Sequence, residues 1–187
     1  MNVDRERLRA DLEANAAFGA IETDEGRGRT VLTGTEANRA ARQRFLDRLE
    51  DADLDVRIDA VGNVAGRWTP DSADPDADPV AAGSHLDSVP AGGIFDGPLG
   101  VYAALEAVRA MRDAGVDLVR PVEVVSFTEE EGQRFASGLL GSSVAAGERS
   151  VSDALDLAAA DDPELTLAAA LDDIGFRGEG RLDASQW

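Results

Sequence analysis

Several residue types are missing or rare in this chain of 187 residues. It has no cysteine and no lysine, so its 18 basic residues are all arginine, and His85 is its one histidine. Without cysteine there is neither a disulfide nor a thiolate, which excludes cysteine nucleophiles and cysteine-based zinc fingers. No apolar run is long enough to span a bilayer, and the charged start of the chain does not resemble a signal peptide. We therefore expect a soluble protein of the cytoplasm.

Positive charge is also scarce. The chain carries 37 acidic against 18 basic residues, a formal net charge of −19. Nucleic acids and anionic membranes both require clustered positive charge, so we expect neither as a partner. The acidic residues are spread along the whole chain, which is typical of proteins in a salt-rich cytoplasm, where counter-ions screen the repulsion.

Helical and strand patterns alternate along the sequence and predict a layered α/β architecture. Thr35 is a candidate cap for a helix whose apolar residues recur every four positions up to Leu49. The predicted strands are two within LDVRIDAVGNVAGRW, a buried one of small residues in VAAGSH, and PVEVVSF. The predicted helices are Val3–Phe18, the one capped by Thr35, Leu99–Ala114, Leu139–Ala146, Val151–Ala160 and Leu165–Ile174. Loops are predicted over Glu22–Gly34 and Thr69–Pro79, and the tail after Ile174 shows neither helix nor strand.

The single histidine lies in the stretch GSHLDSVPAGGIFDGPLG, where a predicted strand ends. His85 and Asp87 are two residues apart, so an extended chain places both side chains on the same side. A metal-bound imidazole usually needs a carboxylate behind it to fix its tautomer, and Asp87 is placed for that role. Asp96 follows in the same stretch, directly before the next predicted helix.

A second group of acidic residues follows the strand PVEVVSF. Glu129, Glu130 and Glu131 are consecutive there, and ligands of α/β proteins gather at strand ends. One histidine, one aspartate and one glutamate from separate strand ends form a nitrogen and oxygen ligand set for a first-row transition metal. Three adjacent glutamates also repel one another, and a dication would relieve that repulsion.

Each of these features has a simpler interpretation. A lone histidine is more often structural than a metal ligand, and Asp96 could merely cap the helix that has Pro98 in its first turn. Glu129–Glu131 could be a solvated turn of a very acidic protein, and the glycines of AGGIFDG could mark only a tight loop. The combination of the single histidine, its spacing to Asp87 and acids after two strands favours the metal site.

Three stretches together resemble one enzyme family: GSHLDSVPAGGIFDGPLGVYAALEAV, VVSFTEEEGQRF and GLLGSS. They are similar to the hydantoinase/carbamoylase family of metal-dependent amidases, which includes N-carbamoyl-L-amino acid hydrolases, allantoate amidohydrolases and β-ureidopropionases. GNVAGRW and the helix before it also match, so the resemblance covers most of the chain. It implies a mixed β-sheet flanked by helices, in a catalytic domain like that of two-metal aminopeptidases.

The resemblance implies a role for each matching residue. His85 would ligate one of two divalent metal ions (zinc, manganese, cobalt or nickel), with Asp87 behind it. Asp96 would bridge the two ions, and Glu131 would be a terminal ligand. Glu130 would be the general base for hydrolysis of a small amide or ureido substrate, and the resemblance favours N-carbamoyl-L-amino acids. An aminoacylase or aminopeptidase of the same wider group, or an inactive remnant, stays as the alternative.

The family also uses further histidines, one of them in a His-Ile-Glu-Gln-Gly stretch, and the chain has none of these. The resemblance therefore implies that residues 1–187 are the N-terminal portion of the catalytic domain. The lid or dimerisation domain and the C-terminal half of the catalytic domain would be absent. We expect a homodimer in the complete enzyme, or a complementary C-terminal chain as partner, and little activity from this chain alone.

Overall fold

The computed structural model of the chain describes residues 1–22 and 26–187. The helices are α1 (Arg5–Asn15), α2 (Glu36–Glu50), α3 (Pro98–Asp113), α4 (Leu140–Ala145), α5 (Val151–Leu155) and α6 (Leu167–Asp173). The strands are β1 (Ala20–Ile21), β2 (Gly28–Arg29), β3 (Asp55–Ile58), β4 (Val64–Trp68), β5 (Val80–His85), β6 (Gly92–Gly93) and β7 (Val122–Phe127). Helices and strands alternate, which confirms the predicted α/β class.

The main sheet is mixed and has the strand order β3-β4-β7-β5. β4 pairs with β3 and with β7 in antiparallel orientation, whereas β5 and β7 run parallel. In the parallel pair His85 lies opposite Phe127, so both strands end at the same edge of the sheet. The loops that follow these two strands therefore start side by side, although they are far apart in sequence.

The helices bury their apolar faces against this sheet. α3 packs on β5 and β7, α2 on β3, and α1 on α3, as expected for a sheet flanked by helices. Thr35 caps α2, because its side chain accepts a hydrogen bond from the backbone N–H of Asn38. This cap confirms the predicted start of α2. Core side chains from α2, α3 and the sheet include Phe45, Leu49, Val64, Tyr102, Leu105, Val108 and Val124.

Strand β5 is more exposed than its sequence suggests. The small residues of VAAGSH predict a buried strand, yet Ala82 and Gly83 are exposed and Val80 retains 49% of its accessible surface. The reason is its position, since β5 is the last strand of the main sheet and no described residue pairs with its outer edge. The prediction of a buried strand is therefore wrong, whereas the strand itself is confirmed.

The helix predicted over Val151–Ala160 is shorter than expected and ends at Leu155. Beyond it, Ala158 forms an isolated β-bridge with Thr166 across a turn that contains Pro163. The backbone N–H of Ala159 donates to the carbonyl of Leu165 at 2.8 Å and that of Ala160 to the carbonyl of Arg134 at 2.7 Å, so the tertiary contacts of these residues replace helical hydrogen bonds. No helix in the described ranges is long and apolar enough to cross a lipid bilayer.

Two segments predicted without regular structure contain short elements. The predicted loop Glu22–Gly34 includes strand β2, and residues 23–25 of that loop lie outside the described ranges. The tail after Ile174 includes one 3-10 turn, Ala184–Gln186. Trp187 then packs on Phe127 of β7, with ring centroids 6.0 Å apart, so the tail covers part of the sheet.

Candidate metal centre

The candidate site lies where β5 and β7 end. His85 is the last residue of β5, and the loop after it reaches Asp96 just before α3 begins at Pro98. Gly97 between them has a φ of +83°, and a Cβ on it would lie 2.7 Å from the Nδ1 atom of His85. Only glycine fits at this position without displacing the imidazole. The glycine therefore allows the start of α3 to approach the histidine closely.

Asp87 holds the imidazole of His85 from one side. Nδ1 of His85 lies 3.1 Å from the backbone carbonyl oxygen of Asp87 and 3.5 Å from its carboxylate Oδ1. Both partners are acceptors, so the neutral ring carries its proton on Nδ1 and keeps a free lone pair on Nε2. The other carboxylate oxygen of Asp87 accepts a hydrogen bond from the backbone N–H of Glu131 at 3.0 Å. Asp87 thus joins the loop after β5 to the loop after β7.

His85, Asp96 and Glu131 form a cluster whose ligand atoms all lie within 4.8 Å of one another. Nε2 of His85 lies 3.6 Å from Oε1 of Glu131. One imidazole nitrogen and two carboxylates at this separation suit a divalent first-row metal ion, and the carboxylate of Asp87 lies behind the imidazole, where it fixes the ring for a metal. The residues present therefore fit a metal ion.

Asp96 does not act as the cap of α3. The N-cap residue is Gly97, and no side chain caps the helix by a hydrogen bond. Pro98 occupies the first turn as predicted. The simpler interpretation of Asp96 as a helix cap is therefore wrong. Asp96 is exposed, and its carboxylate is one of the three ligand groups of the cluster.

Glu130 lies next to the cluster but is not one of its three members. Its Oε1 accepts a hydrogen bond from the backbone N–H of Ser142 at 2.9 Å, and its Oε2 accepts one from the Ser142 hydroxyl at 2.7 Å. Burial raises the pKa of the Glu130 carboxyl above its ordinary value, although these two hydrogen bonds oppose the shift. A fixed carboxylate with a raised pKa is suited to accepting and releasing a proton.

Glu129 points away from the site into the protein interior. It is only 1% exposed, and its Oε1 accepts hydrogen bonds from the backbone N–H groups of Arg134 and Phe135. Its φ of +55° is rare for a residue other than glycine and turns the chain so that the three glutamates diverge. The interpretation of Glu129–Glu131 as a solvated turn is therefore wrong for Glu129. The argument from their mutual repulsion is wrong as well.

The ionisation of the cluster follows from burial and from the neighbouring charges. Burial alone lowers the pKa of His85, but the hydrogen bond and charge of Asp87 outweigh it and raise the pKa overall. Burial raises the pKa of Glu131, and the charges of Asp96 and Asp87 add to this shift. The acidic cluster thus disfavours its own full ionisation, which a bound cation would relieve.

Sequence reasoning missed two residues that shape the site. Asn63 accepts a hydrogen bond from the backbone N–H of Thr128 at 2.9 Å and donates to the carbonyl of Gly141 at 3.0 Å, so it ties β4 to both ends of the glutamate loop. Ser142 anchors Glu130. Both lie in stretches quoted for the family resemblance, GNVAGRW and GLLGSS, and that resemblance was the available signal.

Residues 63–178 match the sequence profile of peptidase family M28, which is more than half of the chain. The chain belongs to peptidase family M28. Among its solved relatives, a hydantoinase/carbamoylase family amidase from Burkholderia ambifaria superposes with a TM-score of 0.89 at 43% identity, covering 97% of this chain and 43% of that one. A putative amidohydrolase/peptidase from Burkholderia cenocepacia gives a TM-score of 0.90 at 38% identity, covering 98% and 44%. The resemblance to hydantoinase/carbamoylase amidases is confirmed.

Curated relatives of this M28 chain are amidohydrolases. The N-carbamoyl-L-amino-acid amidohydrolase of Paenarthrobacter aurescens is 43% identical over 142 residues, which is 76% of this chain and 33% of that protein. That of Geobacillus stearothermophilus is 45% identical over 130 residues, or 70% and 31%. The ureidoglycolate hydrolase of Arabidopsis thaliana is 35% identical over 156 residues, or 83% and 32%. The chain therefore spans about a third of the length of these curated relatives.

Proposed function

We propose that this chain is the N-terminal part of the catalytic domain of a metal-dependent amidohydrolase. Its substrate is an N-carbamoyl-L-amino acid, and the bond cleaved is the C–N bond of the carbamoyl group. The observation that carries the proposal is the convergence of His85, Asp96 and Glu131, with Asp87 behind the imidazole. The curated relatives named N-carbamoyl-L-amino-acid amidohydrolases support the choice of substrate.

Each residue has a defined part in the proposed reaction. His85, Asp96 and Glu131 would hold the divalent metal, and zinc, manganese, cobalt and nickel all suit these donors. When bound, such ions polarise a carbonyl group and lower the pKa of water. Asp87 keeps the proton of His85 on Nδ1, which leaves Nε2 free as a donor. Glu130 takes a proton from the attacking water and passes it to the departing nitrogen. One water is consumed, and ammonia, carbon dioxide and the amino acid are released.

We further propose that the active enzyme needs the portion of its relatives that this chain does not span. The uncovered edge of β5 supports this, because exposed strand edges readily pair with another strand. The exposed apolar residues Val80 and Val119 lie on the same side of the domain and line one apolar cavity beside β5. A complementary segment in the same chain, or a separate C-terminal chain, would cover them, and the complete protein would be a homodimer.

A second candidate function is cleavage of a peptide or an N-acyl amino acid. The description of the matching family as a peptidase family favours it. The same carboxylates and imidazole would serve, because amide and ureido carbonyls both pass through a tetrahedral state. The two functions differ only in the group that lies beyond the carbonyl carbon.

A fusion protein tests both candidates. Residues 1–187 are joined to the part of the Geobacillus stearothermophilus relative that lies beyond its match to this chain. Turnover of N-carbamoyl-L-amino acids, dipeptides and N-acyl amino acids is then measured after chelation and after return of zinc, manganese or cobalt. We expect metal-restored turnover that is fastest with the ureido substrates, and no turnover by the 187-residue chain alone.

Matched variants make the result specific to this site. Glu130→Gln in the fusion is expected to remove turnover, whereas Glu148→Gln, at an exposed glutamate outside the site, leaves it unchanged. Faster cleavage of dipeptides than of ureido substrates would favour the second candidate. Turnover of N-carbamoyl amino acids by the chain alone, free of contaminating hydrolase, would contradict the need for a further portion.

A further inference from the structure

Arg29 of β2 is fully buried against the loop that carries Asp87, behind the cluster of His85, Asp96 and Glu131. One of its nitrogens, Nη2, donates to the backbone carbonyl of Leu86 at 3.0 Å and to that of Asp87 at 3.4 Å. Its other two nitrogens, Nε and Nη1, have no hydrogen-bond partner among the described residues. The only groups of the described chain that this guanidinium holds are thus two carbonyls of the loop that carries Asp87.

A buried arginine that serves only stability would be expected to have hydrogen-bond partners for its guanidinium N–H groups. Buried Arg109, which is 7% exposed, donates to the carboxylate of Asp11 at 2.7 Å and to the carbonyl of Arg48 at 3.3 Å. Buried guanidinium nitrogens without partners are costly, and an apolar residue in their place is often neutral or stabilising. Arg29 is therefore a poor stabilising residue compared with Arg109.

The carbonyl oxygen of Asp87 links Arg29 to the imidazole. It accepts from Arg29 on one side and lies 3.1 Å from Nδ1 of His85 on the other. Beside it, the N–H of Ser88 donates to the carbonyl of Val31 at 2.9 Å, so the loop is attached to the segment that follows Arg29. The Asp87 peptide group is therefore held between the guanidinium and the imidazole.

We propose that Arg29 is a positioning residue: by holding the carbonyls of Leu86 and Asp87, it fixes the direction and tautomer of His85. Nε2 then keeps its lone pair towards Asp96 and Glu131. The consequence for metal affinity rests on the proposed metal site, whereas the consequence for the tautomer of His85 does not. The two are therefore tested by separate measurements on the same variants.

The test compares Arg29→Met, Arg29→Lys and the control Arg109→Lys in the 187-residue chain, each checked for folding by circular dichroism. Because His85 is the only histidine, the nitrogen resonances of its ring report the tautomer without assignment, in metal-free protein at a pH where the ring is neutral. The same samples are then titrated with zinc. We expect a Nδ1–H tautomer in the parent chain and in Arg109→Lys.

In Arg29→Met we expect a mixture of both tautomers and a loss of about 10- to 100-fold in zinc affinity, the usual effect of removing a group that orients a metal ligand. Arg29→Lys, which keeps a donor near Nη2, is expected to show a smaller change in both. If Arg29→Met does not fold, a parent tautomer and parent zinc affinity in Arg29→Lys would overturn the inference. Folded Arg29 variants with the parent tautomer would overturn the inference. A fusion protein that binds no zinc, with an altered tautomer in Arg29→Met of the 187-residue chain, would contradict the proposed metal site but not the positioning role.

Discussion

Replacing Gly97 with alanine tests how closely the start of α3 is fitted to His85. Gly97 has a φ of +83°, a conformation that L side chains rarely adopt. A Cβ at this position would lie 2.6 Å from the carbonyl oxygen of His85 and 2.7 Å from Nδ1 and Cε1 of its ring. The carbonyl belongs to β5, and the ring is confined by Asp87, so neither gives way easily. We expect the substitution to displace the imidazole or the first turn of α3.

The size of the effect follows from two contributions. Gly97 has φ +83° and ψ −65°, which lies outside the left-handed helical region, and holding a residue with a Cβ there costs about 1–3 kcal/mol. The added methyl group in the packed site costs about 1–3 kcal/mol more. Gly115 supplies a matched control, because it also has a positive φ, +58°, but a Cβ on it would meet no atom within 4 Å. Gly115→Ala should therefore show only the backbone contribution, about 1–2 kcal/mol.

Denaturant unfolding of the 187-residue chain in molar potassium chloride measures both losses of stability, and zinc titration measures the effect on the site. Gly97→Ala is expected to lose more stability than Gly115→Ala and, unlike it, to weaken zinc binding. Equal losses of stability together with unchanged zinc affinity in Gly97→Ala would refute the close fit between α3 and His85.

Four further predictions concern charge and the proposed roles. Asp96→Ala in the fusion should lower the content of both metal ions together, whereas His85→Ala and Glu131→Ala should mainly remove one ion. Elemental analysis measures the metal content. An unchanged ratio of metal to protein in Asp96→Ala would exclude a bridging role. Glu130→Gln should keep the metal and lose about 10²- to 10⁴-fold in turnover. Burial raises the pKa of Glu130, and a protonated carboxyl cannot accept a proton. Turnover by the parent fusion should therefore fall as the pH drops through a value above the pKa of an ordinary glutamate. A pH profile of turnover that is flat across that range would contradict this prediction. The thermal midpoint of the chain should rise from low salt to molar potassium chloride, because a net charge of −19 repels itself until it is screened, and equal midpoints would contradict the prediction.

Local sequence patterns were enough to predict the parts of the fold and site that depend on neighbouring residues. Thr35 and the apolar repeat after it define α2, and the spacing of His85 and Asp87 places both on one side of an extended chain. That Glu131 also reaches His85 follows from the parallel pairing of β5 with β7, and that Asp96 does so follows from the close approach of the start of α3 at Gly97. The sequence shows strand ends but not these contacts.

Features that depend on distant contacts could not be predicted in this way. Glu129, Glu130 and Glu131 are the same residue type, and only their partners distinguish them. Glu129 accepts from backbone N–H groups inside the protein, and Glu130 accepts from Ser142. Glu131 donates its backbone N–H to the carboxylate of Asp87 and lies next to the imidazole of His85. The exposure of β5 was missed for the same reason, because the composition of a strand does not reveal its place in the sheet. The burial of Arg29 could not be predicted either, because the sequence places this residue in a polar loop.

The metal site at the ends of β5 and β7 is the central claim, and anomalous scattering tests it most directly. Crystals of the fusion protein grown with zinc are measured on both sides of the zinc absorption edge. We predict an anomalous peak about 2.0–2.2 Å from Nε2 of His85 and from carboxylate oxygens of Asp96 and Glu131. A fully folded fusion with no peak at these three side chains, or with its zinc bound elsewhere, would contradict the account.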